Sequence, residues 1–243
     1  MNDDRMNDNG KKARQPGLVR LSARLMAVAG FVKPGSRVAD IGTDHGYIPI
    51  YLVQTGKAIS ALAMDVRIGP LERAREHIRE YGLDAIDTRL SDGLERLRPG
   101  EADTVIIAGM GGELEMKILE EGRGLWEHVG HFILSPQSEP GRVRRFLDEN
   151  GFSIEDEAMV KDEGKFYTVM SVVRGRMGHM SQAQYHYGKI LMDRKDHTLK
   201  EYLDRERARV EIILRSLADQ GKPPVPALVE ELSRMKEAQD EMQ

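Results

Sequence analysis

Seven consecutive residues, Asp40-Ile41-Gly42-Thr43-Asp44-His45-Gly46, combine two carboxylates, an imidazole and two glycines. They follow a short apolar run, so they are predicted to form a loop between a strand and a helix. Gly42 and Gly46 would let a ligand lie close to the backbone there. The pattern differs from the G-x-G-x-x-G of dinucleotide-binding loops, in which bare amides hold a pyrophosphate, and Asp44 would repel that anion.

A cationic ligand without phosphate suits this loop better. S-adenosylmethionine carries a sulfonium and an ammonium group and no phosphate, and Asp40 is placed to compensate its positive charge. The loop therefore favours S-adenosylmethionine over NAD as the cofactor.

Three further strand ends carry residues that suit a ligand containing adenosine. Asp65 closes the second apolar run, where a carboxylate can accept both ribose hydroxyls, although an aspartate that only starts a turn is the alternative. Asp92 and Gly93 follow the third run and are placed to meet an adenine edge. The stretch Gly109-Met110-Gly111-Gly112 after the fourth run indicates close approach to the backbone. Because a parallel sheet brings such ends to one edge, they are predicted to form one cleft.

The elements that position these residues alternate along the chain. Residues 18–32 have apolar positions three and four apart and are predicted to form an amphipathic helix that ends at Pro34-Gly35. Five strand–helix units follow, and residues 152–175 have the pattern of a β-hairpin. This order predicts an α/β fold with a mostly parallel sheet and helices on both faces.

The two ends of the chain differ from this central part. Residues 1–17 are polar and are predicted to be a flexible leader, not a secretory signal. The sheet domain is predicted to occupy residues 18–176. Residues 177–243 lack a strand pattern and carry apolar residues at helical spacing, which predicts a helical hairpin. That hairpin is interpreted as a packing appendage, a dimer arm or a substrate-docking module.

Composition limits the kind of protein. The 243 residues contain no cysteine, which excludes disulfides and thiolate metal sites and favours a reducing, cytoplasmic location. No run of about 18 apolar residues is present, so no membrane partner is predicted. The net charge of -4 does not favour nucleic acid. Two basic clusters could still bind it or could be solvated surface: Lys11, Lys12, Arg14, Arg20 and Arg24, and then Arg142, Arg144 and Arg145.

The sequence lacks the short motifs of several other enzyme classes. It has no H-E-x-x-H, no G-x-S-x-G and no Walker loop, and its seven histidines are scattered. No metal site is therefore predicted. His77 and His128 are predicted to be surface or helix-face residues.

Several motifs together resemble the bacterial tRNA (adenine-22-N1)-methyltransferase family, over about residues 18–240. The matching stretches are RLSARLMAVAGFV, ADIGTDHGYIPIYL, DVRIGPLERAREHI, RLSDGLERL, IIAGMGGELEMKIL and GKFYTV. The resemblance implies a Rossmann-like class I methyltransferase sheet with a C-terminal coiled-coil-like helical domain. It also implies S-adenosylmethionine as the methyl donor and tRNA as the substrate.

The resemblance also implies roles for individual residues. Asp44 would stand at the reacting end as the catalytic residue, with turn capping as its alternative role. The cofactor would be lined by Gly42, Gly46, Asp65, Asp92, Gly93, Gly109, Met110 and Gly111, with Asp40 beside them. Separately from the resemblance, the basic residues Arg20, Arg24, Arg144 and Lys165 are candidates for contacts to tRNA phosphates near the cleft.

Two other functions are compatible with the sequence. One is a methyltransferase that acts on a different substrate, either a small molecule or a protein. The other is a non-catalytic scaffold that binds S-adenosylmethionine or RNA. The sequence leaves the oligomeric state open.

Overall fold

A computed structural model describes residues 17–243, so most of the predicted leader, with Lys11, Lys12 and Arg14, lies outside the described residues. The described chain contains a seven-stranded sheet. Its strands are β1 (Ser36–Ile41), β2 (Ala58–Asp65), β3 (Ile86–Leu90), β4 (Thr104–Ala108), β5 (His131–Ser135), β6 (Phe152–Asp162) and β7 (Lys165–Arg174). Their order is β3-β2-β1-β4-β5-β7-β6, and β7 is antiparallel to both of its neighbours.

Helices cover both faces of the sheet, as predicted. They are α1 (Ala23–Phe31), α2 (Tyr47–Gln54), α3 (Ile68–Glu80), α4 (Gly112–Glu121) and α5 (Pro140–Glu149). Alternation along β4 shows how the core is divided: Val105 and Ile107 pack with α4 and α5, whereas Ile106 packs with α1, α2 and α3. Because successive strand residues point to opposite faces, a strand buried on both sides is apolar throughout.

Two details differ from the sequence prediction. The first helix begins at Ala23 and not at residue 18, because Ser22 caps it by accepting a hydrogen bond from the Leu25 amide at 3.4 Å. The third strand–helix unit has no helix, since residues 91–101 form turns that lead directly from β3 to β4. The five-unit prediction is therefore wrong at this unit, while the α/β fold class is confirmed.

The β6–β7 hairpin extends beyond the rest of the sheet. Leu134 of β5 pairs with Met170 of β7, so residues 165–168 continue past Ser135, the last residue of β5. The tip of the hairpin therefore projects over the edge formed by the carboxyl ends of the parallel strands.

The C-terminal segment is helical, as predicted, with two short helices before the long pair. It consists of α6 (Gln182–Tyr187), α7 (Lys189–Asp193), α8 (His197–Asp219) and α9 (Pro226–Glu241). Its apolar side packs on Met159 and Phe166 of the hairpin. The domain boundaries at residues 17 and 176 stay a prediction. Among residues 17–243, no helix combines the length and apolar character that crossing a membrane requires.

Candidate active site at the carboxyl edge of the sheet

The predicted strand-end residues lie at one edge of the sheet. β1 lies between β2 and β4, with Asp40 in register with Ala63 and Ile106. The chain runs outward to β3 on one side of β1 and to β5 on the other, so the strand order reverses here. Open α/β sheets bind ligands at such a switch point, beyond the carboxyl ends of the strands.

Gly42 turns the chain immediately after β1. Its φ is 78°, which is in the left-handed region that glycine adopts readily. The amides of Gly42 and Thr43 both donate to the Met64 carbonyl, at 2.8 and 2.9 Å, which ties the loop to β2. A Cβ on Gly42 would overlap Cε of Met110. The loops after β1 and β4 therefore meet at this glycine.

Two buried carboxylates lie at the switch point. Asp40 is 6% exposed and Asp65 is 5% exposed. Burial raises the pKa of Asp40 to about 6, and the neighbouring Asp65 carboxylate adds to the increase. Asp65 accepts a hydrogen bond from the Arg67 amide at 2.7 Å. The Thr43 side chain, buried beside Asp40, lowers the pKa of that carboxyl and partly offsets the increase. These groups suit a ligand that brings positive charge and hydroxyl groups.

Asp44 lies on the exposed side of the same loop. Its carboxylate accepts from Arg73 of α3 at 2.5 Å and lies 3.3 Å from His45 Nε2. The hydrogen bond from Arg73 lowers the pKa of Asp44, so this carboxylate is ionised at neutral pH. The structure thus directs Asp44 toward α3, and Asp44 must share or release Arg73 to meet a substrate.

His77 has a role at the site that the sequence prediction missed. It is half-buried, and its Nδ1 lies 2.9 Å from the His45 carbonyl, which gives α3 a second contact with the loop. Its ring also lies 5.5 Å from His45 and 5.3 Å from Tyr47, with planes within 22° of parallel. Histidine on a helix face carries no sequence signal for such a contact across 32 residues.

Two other predicted cofactor residues, both glycines, have neighbours that account for their type. Gly46 lies against Ala74 of α3, and a Cβ there would be 3.3 Å from the alanine Cβ. Gly93 lies against Ile118 of α4, at 3.1 Å for the same added atom. Asp92 is exposed. Gly46 and Gly93 are thus explained by helix packing, and their contact with a ligand stays a prediction.

On the β4 side, Arg24 and Gln137 flank the glycine loop. A Cβ on Gly109 would lie 3.4 Å from Arg24 Nη1 and 3.7 Å from Gln137 Nε2. Arg24 also lies over the Tyr167 ring, 5.4 Å from its centroid. Nη1 of Arg24 is buried and has no acceptor among the described residues. The sequence does not mark Gln137 as a site residue, because an exposed loop glutamine has no distinguishing pattern.

Arg144 is wrongly predicted as a phosphate contact. Its side chain is 1% exposed, and its Nε donates to Glu157 of β6 at 2.6 Å. Its Nη1 donates to the Tyr185 and His186 carbonyls, both at 2.9 Å. Arg144 is therefore an interior residue that joins α5, β6 and α6, and solvent-borne phosphate cannot reach it.

The remaining predicted tRNA residues lie on the surface. Arg20 is exposed just before α1, and Lys165 is exposed at the tip of the hairpin. The N-terminal end of α1 is held to the tip of the β6–β7 hairpin, because the Arg24 amide donates to Asp162 at 3.1 Å. Between residues 17 and 243, no cluster of three or more His, Asp or Glu side chains is arranged to hold a metal ion.

Known proteins share this architecture and sequence. The tRNA (adenine(22)-N(1))-methyltransferase of Bacillus subtilis is 37% identical over 158 residues, which cover 65% of this chain and 66% of that enzyme. The crystal structure of the B. subtilis m1A22 tRNA methyltransferase TrmK has a TM-score of 0.79 and 30% identity, and covers 90% of this chain and 99% of that one. Streptococcus pneumoniae Sp1610, in complex with S-adenosyl-L-methionine, has a TM-score of 0.81 and 32% identity over the same shares.

Residues 21–170 match the family described as a methyltransferase domain, which gives the class of the protein, and the sheet order agrees with it. The likeness to TrmK extends beyond that domain into the C-terminal helices. The chain belongs to the TrmK-like tRNA (adenine-22-N1)-methyltransferase family, as its motifs predicted.

Proposed function

We propose that this protein transfers a methyl group from S-adenosylmethionine to N1 of adenine 22 in tRNA, in the cytoplasm. The observation that carries the proposal is the buried pair Asp40 and Asp65 beside the Gly42 turn, in a chain that matches TrmK over almost its whole length. Membership of the family supplies the target nucleotide, which the site chemistry alone does not specify.

The residues present fit the cofactor. Asp40 and Asp65 provide negative charge and acceptors for hydroxyl groups, and the buried Thr43 hydroxyl lies beside them as a further polar group. Gly42 and Met110 would form the wall where the two loops meet. S-adenosylmethionine supplies an electrophilic methyl group when bound. We assign the remaining cofactor contacts to Gly46, Asp92, Gly93, Gly109 and Gly111.

Cofactor affinity should depend on the ionisation of Asp40. Its raised pKa of about 6 means that the carboxylate is protonated below that pH and charged above it. Only the charged form attracts a cation, so lowering the pH from 7.5 to 5 should weaken binding about tenfold. Calorimetric titration across this range measures the effect. Asp40→Asn should bind weakly throughout with a flat profile, and a flat wild-type profile would contradict the assignment.

The substrate sets what the other residues must do. N1 of adenine has an in-plane lone pair and becomes cationic on methylation, so the site needs to stabilise positive charge rather than remove a proton. N1 is on the Watson–Crick edge, and a paired adenine must therefore leave its stack. Asp44 would accept a hydrogen bond from the exocyclic amine, after exchanging its contact with Arg73.

Contacts to the RNA backbone would come from the surface near the hairpin tip. Arg20, Arg24 and Lys165 would bind phosphates, which position RNA without reading its sequence. Lys165 is at the hairpin tip, and the Arg24 amide is hydrogen-bonded to Asp162 close to it. We propose that residues 177–243 form a second domain that holds the tRNA body.

Replacing adenine 22 by guanine in an otherwise unchanged tRNA tests the proposed function. Wild-type protein should methylate the natural tRNA and leave the variant unmodified, since N1 of guanine carries a proton. Mass spectrometry of digested tRNA locates the methyl group. Methylation of the guanine-22 tRNA at another position, or of neither RNA, would refute the assignment of substrate.

A further inference from the structure

A groove of about 590 Å³ separates the loop after β5 from the C-terminal helices. Its floor includes Phe166 of the hairpin, and its far side includes residues of α6, Tyr202 of α8 and Arg234 of α9. The volume falls within the range of roughly 300–1,000 Å³ that pockets for small ligands have. The groove is therefore large enough to enclose one nucleotide.

The groove is basic although the whole chain is acidic. Its lining contains three arginines and a single carboxylate, Glu139, whereas the chain carries a net charge of -4. Arg142 is already paired with Glu139 at 2.6 Å. Arg145 donates to the Gln182 side chain at 2.9 Å and lies 4.4 Å from the Tyr185 ring centroid. Arg145 thus presents its remaining donors beside an aromatic face, a combination that suits a nucleotide.

Two buried donors in the lining lack partners. Tyr187 is 3% exposed, and its hydroxyl has no hydrogen-bond partner among the described residues. Nε of Arg234 is also buried and has no hydrogen-bond partner among the described residues, although Nη1 of the same side chain donates to Glu230 at 2.6 Å. Burial raises the pKa of Tyr187, so the hydroxyl stays protonated as a donor. Unpaired buried donors are unfavourable, and a ligand with acceptor atoms would satisfy both.

Aromatic rings complete the lining. Phe166 and Tyr202 lie 5.4 Å apart in an edge-on arrangement, and Tyr187 lies 6.5 Å from Tyr202. Unstacked RNA bases are commonly held on such rings. The groove therefore offers aromatic surface for a base and cations for a phosphate.

The groove begins at the reaction edge. Gln137 and Ser138 line it and also contact the glycine loop. The Gln137 amide donates to the Met110 carbonyl at 2.7 Å, and the Gly112 amide donates to Ser138 Oγ at 3.3 Å. An RNA strand that brings its target base to the cofactor held by this loop would therefore have a neighbouring nucleotide at the mouth of the groove.

We propose that this groove binds one unpaired nucleotide of the RNA substrate, adjacent to the adenine that is methylated. Arg145 and Arg234 bind its phosphate, and Tyr187 donates to its base or sugar. The inference rests on the proposed function, which supplies the RNA.

Binding of full-length tRNA to three variants tests the groove. Arg145→Ala should raise the Kd about tenfold and lower the salt dependence by about one phosphate contact. Tyr187→Phe should raise the Kd about threefold, because only the hydroxyl is lost. Arg79→Ala, which removes an exposed arginine of α3 outside both the groove and the C-terminal helices, is the matched control and should bind like the wild type. Wild-type affinity in both groove variants, or equal weakening in the control, would overturn the proposal.

Crosslinking separates this proposal from the proposed function. A tRNA with 4-thiouridine on either side of position 22 should crosslink to peptides that contain Phe166, Tyr185 or Tyr202. Methylation at adenine 22 with crosslinks only elsewhere would refute the groove and leave the function intact. Groove crosslinks without any methylation would refute the function and leave the groove supported.

Discussion

Replacing Asp44 by alanine is expected to slow methyl transfer to tRNA by about 10²–10³-fold, a typical result of removing one group that stabilises charge in the transition state. Asp44 is kept ionised by Arg73 and lies in the loop beside the buried carboxylates. Single-turnover kinetics with saturating cofactor measure the rate of the methyl-transfer step directly. Cofactor affinity should change little, because the buried Asp40 and Asp65 supply the charge that binds it.

Two further variants distinguish catalysis from loop anchoring. Arg73→Met frees the Asp44 carboxylate, so it should retain most of the rate if Asp44 contacts the substrate. A rate as low as that of Asp44→Ala would show that the pair only fixes the loop. Asp84→Ala, in the exposed turn between α3 and β3, is the matched control and should behave like the wild type. A wild-type rate in Asp44→Ala would remove the catalytic role.

Replacing Arg144 by alanine should lower the free energy of unfolding by about 3–5 kcal/mol, because Glu157 would be left buried without its partner. The variant also loses the donors to the Tyr185 and His186 carbonyls, which hold α6 against α5. Urea unfolding followed by circular dichroism measures the change. Because the Arg144 side chain is not at the surface, the folded fraction of the variant should bind tRNA with the same Kd as the wild type.

A double variant and a neighbouring arginine serve as controls for Arg144. Arg144→Met combined with Glu157→Leu should recover much of the lost stability, since apolar pairs of similar volume replace buried ion pairs well. Arg142→Ala should leave the unfolding midpoint almost unchanged, because Arg142 makes only exposed ion pairs with Glu113 and Glu139. A small effect of Arg144→Ala would contradict the interior role.

The sequence predicted the residues at the sheet edge well because strand ends obey a simple local rule. An apolar run followed by glycine or aspartate ends a parallel strand, and parallel strands end together. Asp40, Gly42, Asp65 and Gly109 lie at the predicted edge for this reason. Which of them contact the cofactor depends on side-chain directions, which local pattern does not determine.

Contacts between distant segments escaped prediction. Arg144 lies between Arg142 and Arg145 in a basic cluster, a pattern that indicates a surface position, yet the helix turns it inward toward Glu157, 13 residues away on β6. Asp44 meets Arg73 across 29 residues, and His77 meets His45 across 32. The missing helix after β3 has a local cause, since residues 91–101 form turns and a repeating strand–helix order does not reveal where turns replace a helix.

The two edges of the sheet are protected from association in different ways. β3 is only five residues long and carries Asp87 and Arg89, and short, charged edge strands resist pairing with another chain. β6 is eleven residues long, and α1, α7 and α8 all pack against it. The C-terminal helices therefore act as a cover against aggregation, independently of any RNA they hold, and within residues 17–243 the sheet presents no long open edge.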